Sequence, residues 1–175
     1  MRAETLSINV APFRDEHIRP AAEALLRVRI ADPTYPPPRD TPATVPAFED
    51  WLMAEQTLGR WVAEVDGLTA GHISLTRAHR YLTDALAILG FASTSANGYC
   101  EISKFFTDPL HQGHGVGAEL FEEALAAGRS SGYQPALAVI DTSYAARRFY
   151  AARGMREAGS FSGVHGINHV FVDEG

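Results

Sequence analysis

Between residues 100 and 129 the chain reads as a strand, a glycine-rich corner and an amphipathic helix, a succession that only a βα unit uses in full. Cys100 to Thr107 is strand-like. Asp108-Pro109-Leu110-His111-Gln112-Gly113-His114-Gly115-Val116-Gly117 forms the corner, and Val116 to Arg129 carries its apolar residues on one helical face. A glycine bend at the start of a helix presents unpaired backbone N–H groups and the positive end of the helix dipole. Such a corner binds anions, and phosphate is its usual guest.

Three kinds of phosphate loop compete for this stretch. A nucleotide-triphosphate loop needs a lysine directly after its last glycine, and the only lysine in the chain is Lys104, on the strand. That reading fails. Gly113-His114-Gly115-Val116-Gly117-Ala118 does match the dinucleotide pattern G-x-G-x-x-A, and Asp141 follows the next strand. In that pattern, however, the strand runs straight into the first glycine, whereas Asp108 to Gln112 intervene here. Only 34 residues follow Asp141, too few for the remaining βα units of a doubly wound sheet.

The third reading fits spacing and context together. Thr107-Asp108-Pro109, two residues, then Gln112-Gly113-His114-Gly115-Val116-Gly117 resembles the acyl-CoA signature of the GNAT superfamily of N-acetyltransferases, Arg/Gln-x-x-Gly-x-Gly/Ala. Ser143-Tyr144-Ala145-Ala146-Arg147-Arg148-Phe149-Tyr150, followed by Arg153-Gly154-Met155, is similar to that family's Asn-x-x-Ala-x-x-Phe-Tyr…Gly-Phe segment. Serine stands for the asparagine and methionine for the phenylalanine. The two motifs occur in the family's order and cover roughly Cys100 to Phe161.

The resemblance implies an α/β (α+β) domain with a mixed, mostly antiparallel sheet of six to seven strands flanked by helices. It implies acetyl-CoA as co-substrate, its pyrophosphate on the backbone of Gln112, Gly113, His114, Gly115, Val116, Gly117 and Ala118. Phe106 and Thr107 would meet the pantetheine arm, and Ser143 would touch the cofactor where asparagine usually does. Tyr150 would protonate the departing thiolate. Glu101 lies where several family members carry a glutamate facing the acceptor, so it is the candidate base for the amine. Read without the family, Glu101 is a solvent-facing strand carboxylate or an ion-pair partner of Lys104, and Tyr150 a core aromatic beside Phe149. His72 and His169 remain candidates for a histidine base reached through water. The acceptor implied is a small-molecule amine, with a protein lysine or N-terminal amine, or a non-catalytic acyl-CoA sensor, as alternatives.

Composition narrows the partners. A formal charge of −6 disfavours nucleic acid and anionic membrane surfaces. The lone Cys100 excludes an internal disulfide and suits a reducing compartment, so a cytoplasmic location is expected. Read alone, this strand cysteine is a small buried hydrophobe. None of the seven histidines combines with cysteine or acidic residues at metal-ligand spacing, so no metal is expected.

At 175 residues the chain is expected to form one domain. Thr5 to Pro12 alternates as a strand, and Asp15 opens a helix to about Ile30. Asp32 to Pro46 holds six of the ten prolines and predicts an irregular loop. Phe48 to Leu58 reads as a short helix, and Asp66-Gly67 joins strands Arg60 to Val65 and Leu68 to Thr76. Residues 77–98 are long for a connection. Leu82, Leu86 and Leu89 mark one helical face there, predicting an inserted helix that lids a pocket, packs in a homodimer or joins the core. Ala136 to Ile140 predicts a buried parallel strand. Ser143 or Thr142 caps a helix to Arg153, and Met155 to Phe161 with Ile167 to Val172 closes the chain as a hairpin.

Overall fold

The structure, a computed structural model, describes residues 6–175. Strand β1 is Ile8–Pro12, and the start expected at Thr5 lies outside the described residues. A 3-10 turn at Asp15–His17 leads into helix α1, Ile18–Ala31. Helix α2, Val45–Met53, begins earlier and ends earlier than its hydrophobic spacing suggested. Thr44 accepts a hydrogen bond from the Ala47 N–H, and Pro46 occupies the first turn, where its missing N–H costs nothing. The irregular loop therefore stops two residues short of Pro46.

Strands β2, Gly59–Val65, and β3, Leu68–Arg77, meet at a turn with Asp66 and Gly67 both at positive φ, 51° and 78°. Helix α3, Arg80–Ile88, precedes β4, Tyr99–Thr107. Helix α4 is Val116–Ser130, β5 Gln134–Ile140 and α5 Tyr144–Ala152. The chain closes with β6, Met155–Gly163, and β7, Gly166–Asp173. The seven strands form a mixed sheet in the order β1-β2-β3-β4-β5-β7-β6, with β4 and β5 parallel and the pairs β1·β2, β5·β7 and β6·β7 antiparallel.

The chain divides into two compact units, Met1–Ser74 with Lys104–Ala124 and Leu75–Ser103 with Leu125–Gly175. In the first, Ala21, Leu25 and Val28 of α1 pack with Phe48 and Leu52 of α2 and with Phe106. In the second, Leu82, Ala85 and Leu86 of α3 pack with Ala136, Val170 and Val172. Of the three roles considered for the inserted helix, its buried face fits the plain one of a core helix.

Candidate active site

The glycine corner begins from a fixed point. The Asp108 N–H donates to the Ala70 carbonyl at 2.8 Å, holding the end of β4 on β3. The Asp108 carboxylate is fully buried; it accepts from the Leu110 N–H at 3.1 Å and from Arg27 Nε and Nη2 at 2.9 and 2.6 Å. One side chain thus caps the 3-10 turn Pro109–His111 and ties it to α1. Hydrogen bonding to Asp108 raises the Arg27 pKa, so the guanidinium stays charged. This anchor was not singled out from sequence, because 81 positions separate its partners.

Beyond it, Gln112, Gly113, His114 and Gly115 are exposed, and α4 starts at Val116. Gly113 and Gly115 stand at φ 79° and 90°, where a side chain is strained. Gly117, by contrast, already lies in α4. Two glycines therefore make the bend, and the first N–H groups of a 15-residue helix stand directly behind it. Among the expected pantetheine contacts, Phe106 is buried and Thr107 half-buried at the end of β4.

The remaining expected residues belong to the second unit. Ser143 is the N-cap residue of α5 but its hydroxyl makes no capping bond, a correction to its expected structural part. Tyr150 is buried, edge-on to Phe149 with centroids 5.6 Å apart and tilted against Phe171 at 5.7 Å. Burial pushes its phenol well above the ordinary value, so the group is held protonated.

Glu101 is 4% exposed, which rules out the solvent-facing reading, and it does not pair with Lys104, whose ammonium meets Glu55 instead. The Glu101 carboxylate accepts from the His79 backbone N–H at 3.0 Å, from His79 Nδ1 at 2.7 Å and from the Tyr81 hydroxyl. The His79 and Tyr81 rings stack at 5.9 Å. His79 is the N-cap residue of α3 and Tyr81 lies in its first turn, so the inserted helix supplies every donor named here. His79 and Tyr81 were missed as site residues. Their signal was the position of a histidine and a tyrosine at the start of a helix in an unusually long connection.

Cys100 is fully buried and its thiol is pushed up to about 12 by desolvation, so it is no nucleophile at neutral pH. His169 is held by Asp141, 2.6 Å from Nε2, and by Glu157 at Nδ1. Its ring is held between these two carboxylates, each of which also meets Arg147. His72 is fully buried, with Nδ1 2.7 Å from the Lys104 carbonyl. A carbonyl only accepts, so Nδ1 carries the proton and Nε2 is the basic nitrogen. Desolvation lowers the pKa to about 4, leaving the ring neutral at pH 7.

Known proteins resemble this chain in sequence and in fold. Residues 24–155 match the acetyltransferase (GNAT) family. The chain belongs to that family. An uncharacterised N-acetyltransferase from Archaeoglobus fulgidus is 33% identical over 107 residues, 61% of this chain and 65% of the relative's length. An N-acetyltransferase from Staphylococcus aureus Mu50 superposes with a TM-score of 0.69 at 15% identity, covering 95% of this chain and 96% of its own. A GNAT family acetyltransferase from Brucella melitensis in complex with acetyl-CoA superposes with a TM-score of 0.58 at 18% identity, covering 93% of this chain and 86% of its own. The chain has the GNAT fold: a seven-stranded mixed sheet flanked by helices. Within the described residues no helix is long and apolar enough to cross a membrane, and no group of three or more metal-binding side chains occurs.

Proposed function

We propose that this GNAT protein transfers the acetyl group of acetyl-CoA to the primary amine of a small molecule by direct attack in a ternary complex. The observation that carries the reading is the left-handed pair Gly113 and Gly115 opening onto the N-terminus of α4 in a chain of this family. The backbone N–H groups from Gln112 to Ala118 receive the cofactor's pyrophosphate, and Phe106 and Thr107 line its pantetheine arm. A free, buried cysteine and a coenzyme A substrate both suit the cytoplasm.

The residues' chemistry meets the needs of the reaction. An alkyl amine of pKa ~10.4 is almost wholly protonated at pH 7, and neutralising it costs about 4–5 kcal/mol at ~1.4 per unit. Glu101, with His79 bonded to it, takes that proton. The neutral nitrogen attacks the thioester carbonyl carbon, the carbon–sulfur bond breaks, Tyr150 gives its proton to the departing sulfur, and the proton shed by the new amide nitrogen restores the phenol. Burial keeps the phenol protonated, so it has a proton to give.

Purified protein given acetyl-CoA and a panel of small amines should release free thiol in proportion to acetylated product. Thiol release with protein amines alone would move the acceptor to proteins. Tight acetyl-CoA binding with no turnover on either panel would leave a sensor rather than an enzyme.

A further inference from the structure

Within the first unit, one buried polar cluster holds more cationic charge than anionic charge. Lys104, the chain's only lysine, stands at φ 48° inside β4, a left-handed conformation that non-glycine residues seldom adopt in a strand. Its side chain is 7% exposed. Nζ lies 3.1 Å from Glu55 Oε1, off the angle a hydrogen bond needs, and 5.2 Å from the Trp51 ring centroid. Arg60 of β2 donates from Nη2 to the Glu55 backbone carbonyl at 2.5 Å, while its Nε is buried without a hydrogen-bond partner. His72 of β3 bonds the Lys104 carbonyl through Nδ1, and its buried Nε2 is also unpartnered.

Two cations here face one carboxylate, and the histidine between the strands is neutral. Desolvation lowers the pKa of both Arg60 and Lys104 against the opposing pull of Glu55, which the two cations share. Buried polar atoms are seldom left unsatisfied, so these atoms call for a partner that the protein's own groups do not supply. The surplus of one positive charge matches a monoanion such as a carboxylate better than a doubly charged phosphate. The cluster also adjoins the strand given to the cofactor. The His72 ring stacks on Phe106 with centroids 5.7 Å apart, and Phe106 is two residues from Lys104.

We infer that Arg60 and Lys104 form a subsite for a carboxylate on the acceptor, which makes the acceptor an amino acid or an amine of similar build rather than a plain alkyl amine. The inference rests on the acetyl-transfer reading for its placing of the amine, but the subsite can be tested without turnover. His72 Nε2, which can only accept in the neutral ring, takes an N–H or O–H of the same ligand.

Calorimetric titration of the full chain with N-acetylglycine, N-acetylleucine and N-acetylglutamate, each against its carboxamide at the α-carboxyl position, reads the subsite directly. At least one acid should bind about 10- to 100-fold more tightly than its amide, the worth of a charge-assisted hydrogen bond. Lys104→Met and Arg60→Met should each abolish that preference, and Lys104→Arg should keep it. In turnover assays with the free amino acids and their amides, the same preference should appear in KM more than in kcat. Equal affinity for acids and amides, binding of neither, or a preference that survives both methionine variants would overturn the subsite. Failure of acetyl-CoA to bind would instead remove the acetyl-transfer reading, leaving the acid-against-amide titration to decide the subsite alone.

Discussion

In the first unit, Gln112 to Gly115 are exposed on the bend before α4, and Arg60, His72 and Lys104 each keep a buried polar atom without a hydrogen-bond partner. The second unit also leaves Arg147 Nε and the Thr76 and Tyr99 hydroxyls buried without a hydrogen-bond partner, but several of its carboxylates are paired. Glu101 is met by His79 and Tyr81, Asp141 by His169 and Arg147, and Asp173 by Arg129. Donors in surplus suit a region that receives anionic ligands, whereas paired carboxylates give rigidity and set the protonation state of their neighbours. The contrast assigns different consequences to substitutions of similar size in the two units.

The largest effect is expected at Tyr150, in the second unit. Tyr150→Phe keeps the ring against Phe149 and Phe171 and removes only the hydroxyl. Loss of a positioned general acid lowers kcat by about 100-fold or more, with the KM for acetyl-CoA little changed. Unchanged turnover would take Tyr150 out of the reaction and leave it a core aromatic.

Next in size is an acid sensitivity located in the donor-rich unit. His72 titrates at about 4 in the folded chain and near its ordinary 6.5 when unfolded. Between those values the unfolded chain binds a proton that the native ring refuses. The stabilisation is therefore complete above about pH 6.5 and is lost as pH falls towards 4, by about 3 kcal/mol in total. Urea unfolding at pH 7 and pH 4.5 should show this fall, and His72→Asn should flatten the slope. Parallel slopes in the two proteins would show that other groups govern acid stability.

Arg129→Met tests whether the second unit's pairs are structural. Arg129 Nε and Nη2 reach Asp173 at 2.7 and 2.6 Å, and the carboxylate is 5% exposed. Removing the arginine strands a buried charge. The cost for a fully buried pair is about 3–5 kcal/mol, reduced to about 2 because Arg129 itself is half exposed. A Tm fall of about 4–8 °C, with kcat intact in the folded fraction, is the expected result. An unchanged Tm would mean that water replaces the arginine at no cost.

In both units only the local features could be read from residues alone. The glycine bend, α4 with Val116, Leu120, Phe121, Ala124 and Leu125 buried, and the succession of strands and helices were legible, because each follows from spacing within about 20 residues. Both ends of α2 were misplaced: a proline at the first turn reads as a breaker unless Thr44 is seen to cap the helix ahead of it. The polar clusters were not legible. Glu101 lies 22 residues from His79, His72 lies 32 from Lys104, and Lys104 lies 49 from Glu55. Sheet pairing and helix insertion bring them together, and no local pattern records which acid meets which base.

The smallest effect expected belongs to the legible part, and it separates backbone recognition from side-chain recognition. Gly115 stands at φ 90°, and the nearest atom to an added Cβ is Ile8 Cδ1 at 3.9 Å, so conformation rather than space restricts the position. Gly115→Val places a β-branched residue where it is a clear outlier, at a cost of about 1–2 kcal/mol. The bend relaxes to escape that strain and turns its N–H groups away from the pyrophosphate, so the Kd for acetyl-CoA should rise about tenfold or more. Because the bend is exposed, Tm should move less than in Arg129→Met. Should the Gly115→Val variant bind the cofactor as tightly as the parent chain does, main-chain donors at the bend are not what holds it, and the donor surplus of the first unit would rest on Arg60 and Lys104 alone.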